Sequence, residues 1–541
     1  MKSTMQRTPL LVSRILTQGA TVHHGSTVET WTGDKARTLT YAQVGARSAQ
    51  LAHALRELGI TGDERVATFM FNNNEHLEAY LAVPSMGAVL HTLNVRLYPE
   101  QLVWIANHAD DQVVIVDPIL IPLLARLLPE LKSVRHVIVT GGADASELAA
   151  PGVQVHGYEQ LLADQPTTYD WPVLDEDEAA ALCYTSGTTG NPKGVAYSHR
   201  SIWLHSLQVC SPEGFGISQL DKVLAIVPQF HAMSWGLPYA AFMSGASLVM
   251  PDRFLQAEPL ARMISELRPT LAGAVPTIWS DLLRYLDEHP TDVSSLVEVV
   301  VGGSAVPPSL MKEFEDRHNI RVVHAWGMTE TSPLGSVARP PAGLDAEATW
   351  AYRVTQGRLP AAVEGRLVGP DDTVLPWDGE SVGELQVKGP WITGSYLKDD
   401  ALDKFDDGWF RTGDVGTLSH DGFLTLTDRA KDVIKSGGEW ISSVELENLL
   451  MGHPDVTEAS VVGVPDERWG ERPLATVVLR EGAQPDITAL RDYLSQHVAR
   501  WQVPERWSVI AEVPKTSVGK FDKKALRASY AAGELKVTTL S

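Results

Sequence analysis

The sequence predicts an α/β protein. A large N-terminal domain of layered α/β sheets is followed by a β-rich subdomain and then by a small, mobile α+β domain. Helical and strand-like patterns alternate through residues 41–324, which is typical of helices that cover largely parallel sheets. From about residue 363, short strands bounded by Gly and Asp turns replace this alternation. The chain has 541 residues, which is too long for one hydrophobic core, so two or more domains are expected.

The individual elements follow from apolar spacing and from the residues that end them. Residues 41–58 have the spacing of a helix that ends before Gly59, and residues 77–86 form a second helix that ends before Gly87. The apolar runs that predict strands lie at residues 65–70, 113–116, 137–139, 179–184, 297–301, 321–324, 365–368 and 383–387.

A second domain is predicted to begin at residue 431. The N-terminal domain would then span residues 1–430 and a small, mobile C-terminal lid residues 431–541. The lid would contain a helix at 444–451, strands at 458–464 and 474–479, and a helix at 487–498, a βαβ-like content. No long Pro/Gly linker separates the two domains, so the hinge between them is expected to be short.

Charge and composition exclude several classes of protein. Lysine and arginine number 45 against 67 acidic residues, a net charge of −22, which disfavours binding to nucleic acid or to an anionic membrane. The only cysteines are Cys183 and Cys210, too few for a disulfide framework or a Cys-rich metal site. Neither a signal peptide nor an apolar stretch of membrane-spanning length is present, so we expect a soluble, cytoplasmic protein without integral membrane association.

The predicted strand at 179–184 leads into a polar loop, Thr-Ser-Gly-Thr-Thr-Gly-Asn-Pro-Lys-Gly, at residues 185–194. Glycines let backbone N–H groups approach a polyanion, hydroxyls donate hydrogen bonds to phosphoryl oxygens, and Lys193 adds positive charge. The loop differs from a Walker A loop, because Lys193 lies between Pro192 and Gly194. We predict a phosphate-binding loop, although the same composition also suits an ordinary surface loop.

Two later strands also end in residues suited to a nucleotide. Gly302, Gly303 and Ser304 follow the strand at 297–301 and offer flat backbone to a planar ring. The sequence Trp-Gly-Met-Thr-Glu at 326–330 supplies an aromatic ring, a hydroxyl and a carboxylate, which suit a base, a phosphate and a Mg²⁺-bound water. Each motif alone could equally be a turn after a strand.

Three segments nearer the C-terminus complete the set. Asp414 ends the turn Arg-Thr-Gly-Asp, where its carboxylate could accept hydrogen bonds from two ribose hydroxyls. Residues 428–440 are first charged, then apolar, then glycine-rich, as expected of a hinge. Lys520 ends the loop 514–520 and could swing into an active site, although an isolated lysine is usually a solvated surface residue.

The order and spacing of these motifs resemble the adenylate-forming superfamily, which contains acyl-CoA synthetases, adenylation domains of peptide synthetases, and luciferases. The resemblance covers nearly the whole chain. The segments Pro-Gln-Phe-His-Ala-Met-Ser-Trp at 228–235 and Lys-Gly-Pro-Trp-Ile-Thr-Gly at 388–394 look like those of bacterial medium- and long-chain fatty acyl-CoA synthetases and methylmercaptopropionate–CoA ligases.

The resemblance implies a two-step ligase reaction that uses ATP with Mg²⁺, a small carboxylic acid and coenzyme A, carried out by a homodimer. The carboxylate would attack the α-phosphorus of ATP to give acyl-AMP and pyrophosphate, and the thiol of CoA would then displace AMP. Lys520 would bridge the carboxylate and the phosphate in the first step, while Thr185 and Glu330 would contact Mg²⁺. The small domain would rotate about Lys431 between the steps.

Further roles are implied for residues that match the motifs. The implied nucleotide contacts are Ser186, Gly187, Thr188, Thr189, Gly190, Lys193, Gly302, Gly303, Ser304, His324, Ala325, Trp326, Gly327, Thr329, Asp414, Arg429, Lys431, Lys435 and Trp440. On the acyl side, His231 would orient the carboxylate, Trp235 would gate the acyl tunnel and Pro333 would line it. Gly437 and Gly438 would flank the pantetheine of CoA. As alternatives, Trp235 could be an ordinary core residue and His231 a buried, hydrogen-bonded imidazole.

Other classes remain to be separated by experiment. A peptide-synthetase adenylation domain would need an acidic residue near position 235, where this chain has tryptophan. A luciferase-like oxygenase would share the first half-reaction. A serine acyltransferase would use Ser517, which has the Ser-x-x-Lys spacing with Lys520, or Ser304. No later Lys-Thr-Gly supports Ser517, and at Ser304 Val306 replaces the second glycine of the nucleophile turn Gly-x-Ser-x-Gly. A non-enzymatic nucleotide sensor would lose no function when Lys520 is changed. The resemblance implies that the acid is a medium- or long-chain fatty acid or a short-chain acid such as 3-methylthiopropanoate.

Overall fold

The structure is a computed structural model. It describes residues 1–185, 191–369, 371–399, 401–429, 431–436, 439–480, 482–484, 486–516 and 520–540. The predicted contacts Ser186, Gly187, Thr188, Thr189, Gly190, Gly437 and Gly438 lie outside the described residues, as does the side chain of Trp440.

Helices in the described part of the chain follow the apolar patterns of the sequence. In chain order they are α1 Val12–Thr21, α2 Tyr41–Glu57, α3 Asn74–Ser85, α4 Pro99–Ala109, α5 Ile121–Leu127, α6 Tyr158–Leu162, α7 His199–Cys210, α8 Leu237–Ser244, α9 Ala257–Leu267, α10 Pro276–Glu288, α11 Pro308–His318, α12 Ala346–Arg353, α13 Ser443–Met451, α14 Ile487–Ser495 and α15 Lys523–Ala531.

Most strands in the same residues alternate with these helices up to β14, and β16 to β24 then follow one another with no α-helix between them. They are β1 Thr27–Trp31, β2 Ala36–Thr40, β3 Arg65–Phe69, β4 Val89–Thr92, β5 Asp111–Val116, β6 His136–Val139, β7 Gln154–Gly157, β8 Ala179–Tyr184, β9 Gly194–Ser198, β10 Lys222–Leu224, β11 Ser247–Met250, β12 Leu271–Ala274, β13 Glu298–Gly302, β14 Arg321–Gly327, β15 Leu334–Val337, β16 Gly357–Arg358, β17 Glu364–Val368, β18 Val374–Leu375, β19 Gly383–Lys388, β20 Phe405–Asp406, β21 Trp409–Leu418, β22 Phe423–Arg429, β23 Ile434–Ser436, β24 Glu439–Ile441, β25 Val456–Asp466, β26 Gly470–Leu479, β27 Arg506–Val509 and β28 Val537–Thr539.

These strands form three sheets, which confirms the predicted α/β class. One sheet has the order β7-β6-β5-β3-β4-β8-β9 and is parallel except for the pair β8–β9. A larger sheet runs β18-β17-β19-β21-β22-β16-β15-β14-β13-β12-β10-β11-β1-β2, with β20 paired to β21. Its central strands are parallel, whereas the strands from β15 to β22 pair antiparallel and form the predicted β-rich part.

The two large sheets share one hydrophobic core. Its buried side chains come from both sheets, including Val66 and Leu90 on one sheet and Val223 and Leu248 on the other. Helix α3 is buried along its whole length between them. Asn72 also ties the sheets together, because its amide donates to the backbone oxygens of Ala225 and Val227 at 2.7 and 2.8 Å.

The third sheet, β24-β23-β26-β27-β28 with β25 paired to β26, belongs to the C-terminal part of the chain. The last strand of the larger sheet ends at Arg429 and the first strand of the third begins at Ile434, so the predicted boundary after residue 430 falls between them. The expected βαβ-like content is formed by β26, α14 and β27, whose two strands pair in parallel, whereas the pairing of the strand before them was not predicted. Strands β25 and β26 are antiparallel neighbours joined by a hairpin that ends at Gly470, whose φ of +79° favours glycine.

The described residues contain no helix that is both long and apolar enough to cross a membrane.

Candidate active site

The parallel strands of the larger sheet open at their carboxyl ends into one cavity of about 970 Å³. Ligands of open α/β sheets bind at such edges, because the loops that follow neighbouring strands converge there. The predicted residues that line the cavity are Thr185, Lys193, His231, Trp235, Gly302, Gly303, Ser304, His324, Ala325, Trp326, Gly327, Thr329, Glu330, Pro333, Asp414, Arg429, Lys431 and Lys520.

Lys435 is the exception among the described residues predicted to contact the nucleotide. It lies on β23, has an exposed side chain and is not among the residues that line the cavity. Its backbone N–H donates to the Glu471 carboxylate at 3.0 Å. Its nucleotide contact stays a prediction.

The predicted phosphate loop is anchored at both ends by strands β8 and β9. Because these strands are antiparallel neighbours, they bring Thr185 and Lys193 together. The Thr185 N–H donates to the Lys193 carbonyl at 2.9 Å, and the Lys193 N–H donates to the Thr185 hydroxyl at 3.1 Å. Both residues line the cavity, so the base of the loop faces the site.

Asp414 is held by two partners from distant parts of the chain. The indole N–H of Trp326 donates to Asp414 Oδ2 at 2.7 Å, and Arg429 Nε lies 3.1 Å from Asp414 Oδ1. Asp414 is only 3% exposed. The Trp326 ring packs on Gly335, where any Cβ would collide with the indole. The sequence predicted these residues separately, but not that Trp326 orients the Asp414 carboxylate.

The two glycines after β13 allow close approach. A Cβ at Gly302 would lie 2.6 Å from the Ala325 carbonyl oxygen, closer than two such atoms approach in proteins. Gly303 has a φ of +84°, and a Cβ there would lie 3.3 Å from Lys520 Cε. Glycine at 303 therefore leaves room for the lysine, which reaches the cavity from the C-terminal part of the chain.

Lys520 lies among both positive and negative groups. Burial, followed by the positive charge of Arg429, lowers the pKa of Lys520 to about 8, while Asp414 and Glu330 act in the opposite direction. The ammonium group is thus protonated at neutral pH and loses its charge within a mildly alkaline range.

This pKa predicts a pH dependence. Since Lys520 is charged below its pKa and neutral above it, kcat/KM for ATP in the first half-reaction is expected to fall as the pH rises through about 8. The measurement is pyrophosphate release between pH 6.5 and 10. Lys520→Arg keeps its charge throughout this range, so its profile should be flat where the wild type declines. An equal decline in both proteins would contradict the assignment.

Glu330 is the buried carboxylate of the site. It is 8% exposed and accepts a hydrogen bond from the Tyr396 hydroxyl at 2.8 Å. Burial raises its pKa. Among the described residues, no group of three or more His, Cys, Asp or Glu side chains could hold a metal alone. Glu330 and the Thr185 hydroxyl nevertheless fit Mg²⁺, which binds oxygen and usually uses one or two carboxylates together with substrate phosphates.

His231 and Trp235 also line the cavity. Burial, followed by the charges of Lys520 and Arg96, lowers the pKa of His231 to about 3, so the imidazole is neutral and acts only through hydrogen bonds. Residues 232–236 all have left-handed φ values between 42° and 74°, an unusual run that points to a functional constraint. It places the Trp235 indole against Gly273 and Gly302, at 3.5 and 3.4 Å from where their Cβ atoms would be.

The sequence did not identify several other residues of the site. Arg96 and Tyr396 line the cavity, and Arg96 lies over the Phe230 ring at 5.8 Å from its centroid. Asp399 contacts Lys193, with Oδ2 and Nζ 3.2 Å apart. None of these residues belongs to a glycine-rich or charged motif, and only the tertiary fold brings them to the site.

Two protein-family profiles match the chain, one over its N-terminal part and one over its C-terminal part. The profile described as "AMP-binding enzyme" matches residues 16–397, and that described as "AMP-binding enzyme C-terminal domain" matches residues 445–520.

Three curated relatives cover nearly the whole chain. A 3-methylmercaptopropionyl-CoA ligase of Ruegeria pomeroyi is 43% identical over 97% of this chain and 98% of its own length. A medium-chain-fatty-acid–CoA ligase of Ectopseudomonas oleovorans is 40% identical over 97% of each. A long-chain-fatty-acid–CoA ligase of Thermus thermophilus is 43% identical over 92% of this chain and 91% of its own length.

Among solved structures, an anthranilate CoA ligase in complex with anthranoyl-AMP superimposes with a TM-score of 0.88 at 25% identity, covering 99% of this chain and 100% of that one.

Proposed function

Because this chain belongs to the AMP-binding enzyme family, we propose that it is an ATP-dependent, AMP-forming carboxylic acid–CoA ligase. The observation that carries the proposal is the position of Lys520, which reaches Gly303 in a cavity that also contains Asp414 and Glu330. A lysine so placed can neutralise the charge that develops when a carboxylate approaches a phosphate.

The proposed reaction has two steps. In the first, a carboxylate oxygen of the acid bonds to the α-phosphorus of ATP, and the bond from that phosphorus to the bridging oxygen breaks to release pyrophosphate. In the second, the sulfur of CoA bonds to the acyl carbon, the thiol proton is lost, and AMP leaves. Both steps depend on positioning and on charge neutralisation rather than on a covalent enzyme intermediate.

Each group of residues has a proposed part in the first step. Lys520 would neutralise the carboxylate and the α-phosphate, Lys193 would bind the outer phosphates, and Asp414 would accept hydrogen bonds from the ribose. Mg²⁺ bound with ATP would supply further positive charge, held by Glu330 and Thr185. The neutral His231 can orient the carboxylate by a hydrogen bond without adding charge.

We propose that residues 1–430 and 431–541 act as two domains that rotate about Lys431 between the steps. The segment around this residue is short, and it lies between the larger sheet and the third sheet. Across the proposed hinge, the Asp428 carboxylate accepts a hydrogen bond from the Ser443 N–H at 2.8 Å, a contact that would hold the present orientation. We also propose a cytoplasmic homodimer, which light scattering of the purified protein would test for its oligomeric state.

We propose that the acid is a medium- or long-chain fatty acid or a short-chain acid such as 3-methylthiopropanoate, since the curated relatives are named for these substrates. The experiment is a panel from acetate to palmitate together with 3-methylthiopropanoate, assayed for AMP with and without CoA. A ligase releases AMP at a sustained rate only when CoA is present. Sustained turnover with a carrier protein or with oxygen instead of CoA would favour the alternative acceptors.

Trp235→Ala is expected to flatten the profile of rates across acid chain lengths and to change the KM for ATP only modestly. The indole borders Gly302 beside the carboxylate path, while the contacts that hold Asp414 do not involve it. The fully buried Trp279 provides a control, because Trp279→Ala should cost about 3–5 kcal/mol of stability and damage all acids alike. A Trp235→Ala enzyme with a lower melting temperature and unchanged selectivity would exclude the gate.

A further inference from the structure

Four consecutive residues, Tyr396, Leu397, Lys398 and Asp399, contact Glu330, the end of the proposed phosphate loop and the end of helix α4. We call them the clasp. Tyr396 donates to Glu330 at 2.8 Å, and the Leu397 N–H donates to the carbonyl of Gly194, the residue after Lys193, at 2.8 Å. The clasp belongs to none of the motifs found in the sequence.

The other two residues of the clasp are ion-paired. Lys398 donates to Asp110 at 2.6 Å and to the His108 carbonyl at 2.8 Å, which fixes the clasp to the C-terminal end of α4, directly before β5. Asp399 Oδ2 lies 3.2 Å from Lys193 Nζ. The clasp is thus anchored to the scaffold on one side and reaches the lysine of the phosphate loop on the other.

Tyr396 contacts both a negative and a positive residue of the site, Glu330 and Lys193. Its hydroxyl is bound to Glu330, while Lys193 Nζ lies 4.9 Å from the centroid of its ring. The side chain is 6% exposed and lines the cavity. A single rigid ring therefore sets the position of the carboxylate and of the ammonium group relative to each other.

The Asp399 carboxylate is the anion that pairs with Lys193 in this structure. Its side chain is 41% exposed and that of Lys193 is 31% exposed, so the ion pair is accessible and weak. A phosphate group carries more negative charge and three acceptor oxygens, and can replace the carboxylate. The contact with Lys193 lowers the pKa of Asp399, which is therefore ionised at neutral pH.

We infer that the clasp is part of the ATP-binding machinery: Tyr396 positions Glu330 and Lys193 for the polyphosphate, and Asp399 fills the anion site of Lys193 until a phosphate displaces it. The inference rests on the proposed function, and it adds a positioning residue and a competing carboxylate to the site. Neither residue touches the atoms that react.

The experiment measures binding to the full-length enzyme by titration calorimetry with Mg²⁺, using ATP and inorganic pyrophosphate as probes, without acid or CoA. Tyr396→Phe removes the hydroxyl but keeps the ring, and should weaken ATP binding about tenfold, as expected for the loss of a hydrogen bond to a charged group. Tyr158→Phe is the matched control, because the Tyr158 hydroxyl also donates to a buried carboxylate, Glu78, at 2.6 Å, but outside the cavity. It should leave ATP affinity unchanged.

The second variant should act in the opposite direction. Asp399→Asn removes the competing charge, so pyrophosphate should bind about threefold more tightly. Asp292→Asn breaks a surface pair with Arg268, whose atoms lie 2.5 Å apart away from the cavity, and should have no effect. Because Asp399 is partly exposed, this variant tests the clasp even where Tyr396→Phe fails to fold.

Two results would overturn the inference. One is a Tyr396→Phe enzyme that loses stability but binds ATP like Tyr158→Phe, as a purely structural hydrogen bond would predict. The other is an Asp399→Asn enzyme that binds pyrophosphate no more tightly than the wild type. A wild-type enzyme that binds no Mg²⁺–ATP would instead refute the proposed function, so the two failures are distinguishable.

Discussion

Lys520→Ala is expected to slow acyl-AMP formation by about 10²–10³-fold, while thioester formation from preformed acyl-AMP stays close to the wild-type rate. The ammonium group is placed in advance where the carboxylate and the α-phosphate would meet, and alanine leaves that charge uncompensated. The second step starts after the phosphate bond has formed, and in the proposed rotation the lysine has then left the cavity. The first rate is measured as pyrophosphate release, and the second as thioester formed from synthetic acyl-AMP and CoA.

Lys515→Ala is the matched control for this experiment. Lys515 lies on the same C-terminal segment, but its Nζ is paired with Glu458 at 2.7 Å and it does not line the cavity. Its replacement should leave both half-reactions unchanged. Equal damage to both half-reactions by Lys520→Ala would show that the lysine supports the structure rather than the first step, and it would also argue against rotation about Lys431.

Asp414→Asn should raise the KM for ATP by about 10–100-fold. The carboxylate pairs with Arg429, accepts the Trp326 indole N–H and is proposed to bind the ribose. An asparagine oxygen can still accept from the indole, but its NH₂ group would then face the guanidinium, and the positive charge would lose its partner. ATP affinity measured by calorimetry should fall in parallel with the change in KM.

Asp414→Asn is also expected to change the pH dependence of the reaction. The charge of Asp414 helps to keep Lys520 protonated, so its removal should move the alkaline fall in kcat/KM to a lower pH than in the wild type. Asp466→Asn breaks another partly buried pair, with Arg506 at 2.8 Å, outside the cavity. This control should leave both KM and the pH profile unchanged. A higher KM with an unshifted profile would show that Asp414 does not act on Lys520.

Much of the fold could be predicted because apolar residues recur along the sequence with the period of the helix or strand that they form. The helix predicted at residues 41–58 is α2, Tyr41–Glu57, and it ends before Gly59 as expected. The hairpin between β25 and β26 was not predicted, because apolar spacing marks strands but does not say which strands pair. The helix predicted at 487–498 ends three residues earlier, at Ser495, where the chain enters a turn that apolar spacing does not reveal.

Some residues of the candidate site could likewise be predicted from the sequence and others could not. A motif of a few adjacent residues, such as the loop after β8 or Gly302 and Gly303 after β13, can be recognised from the types and the order of its residues. Arg96, Tyr396 and Asp399 could not be identified, since each is an ordinary residue in a connecting segment. Their proximity to Lys193, Glu330 and His231 depends on how the loops converge at the ends of the strands.

The sequence by itself determined the class of fold, the order of the motifs and the types of functional group available. These properties depend on residues that are close together in the sequence, so they can be recognised without the tertiary structure. Tertiary structure alone decided which groups meet. Trp326 reaches Asp414 across 88 residues of sequence, and the pKa of Lys520 falls to about 8 only because the fold buries it and brings Arg429 near it. Hydrogen bonds and charges act through space over a few ångströms, and distance along the chain does not predict distance in the folded protein.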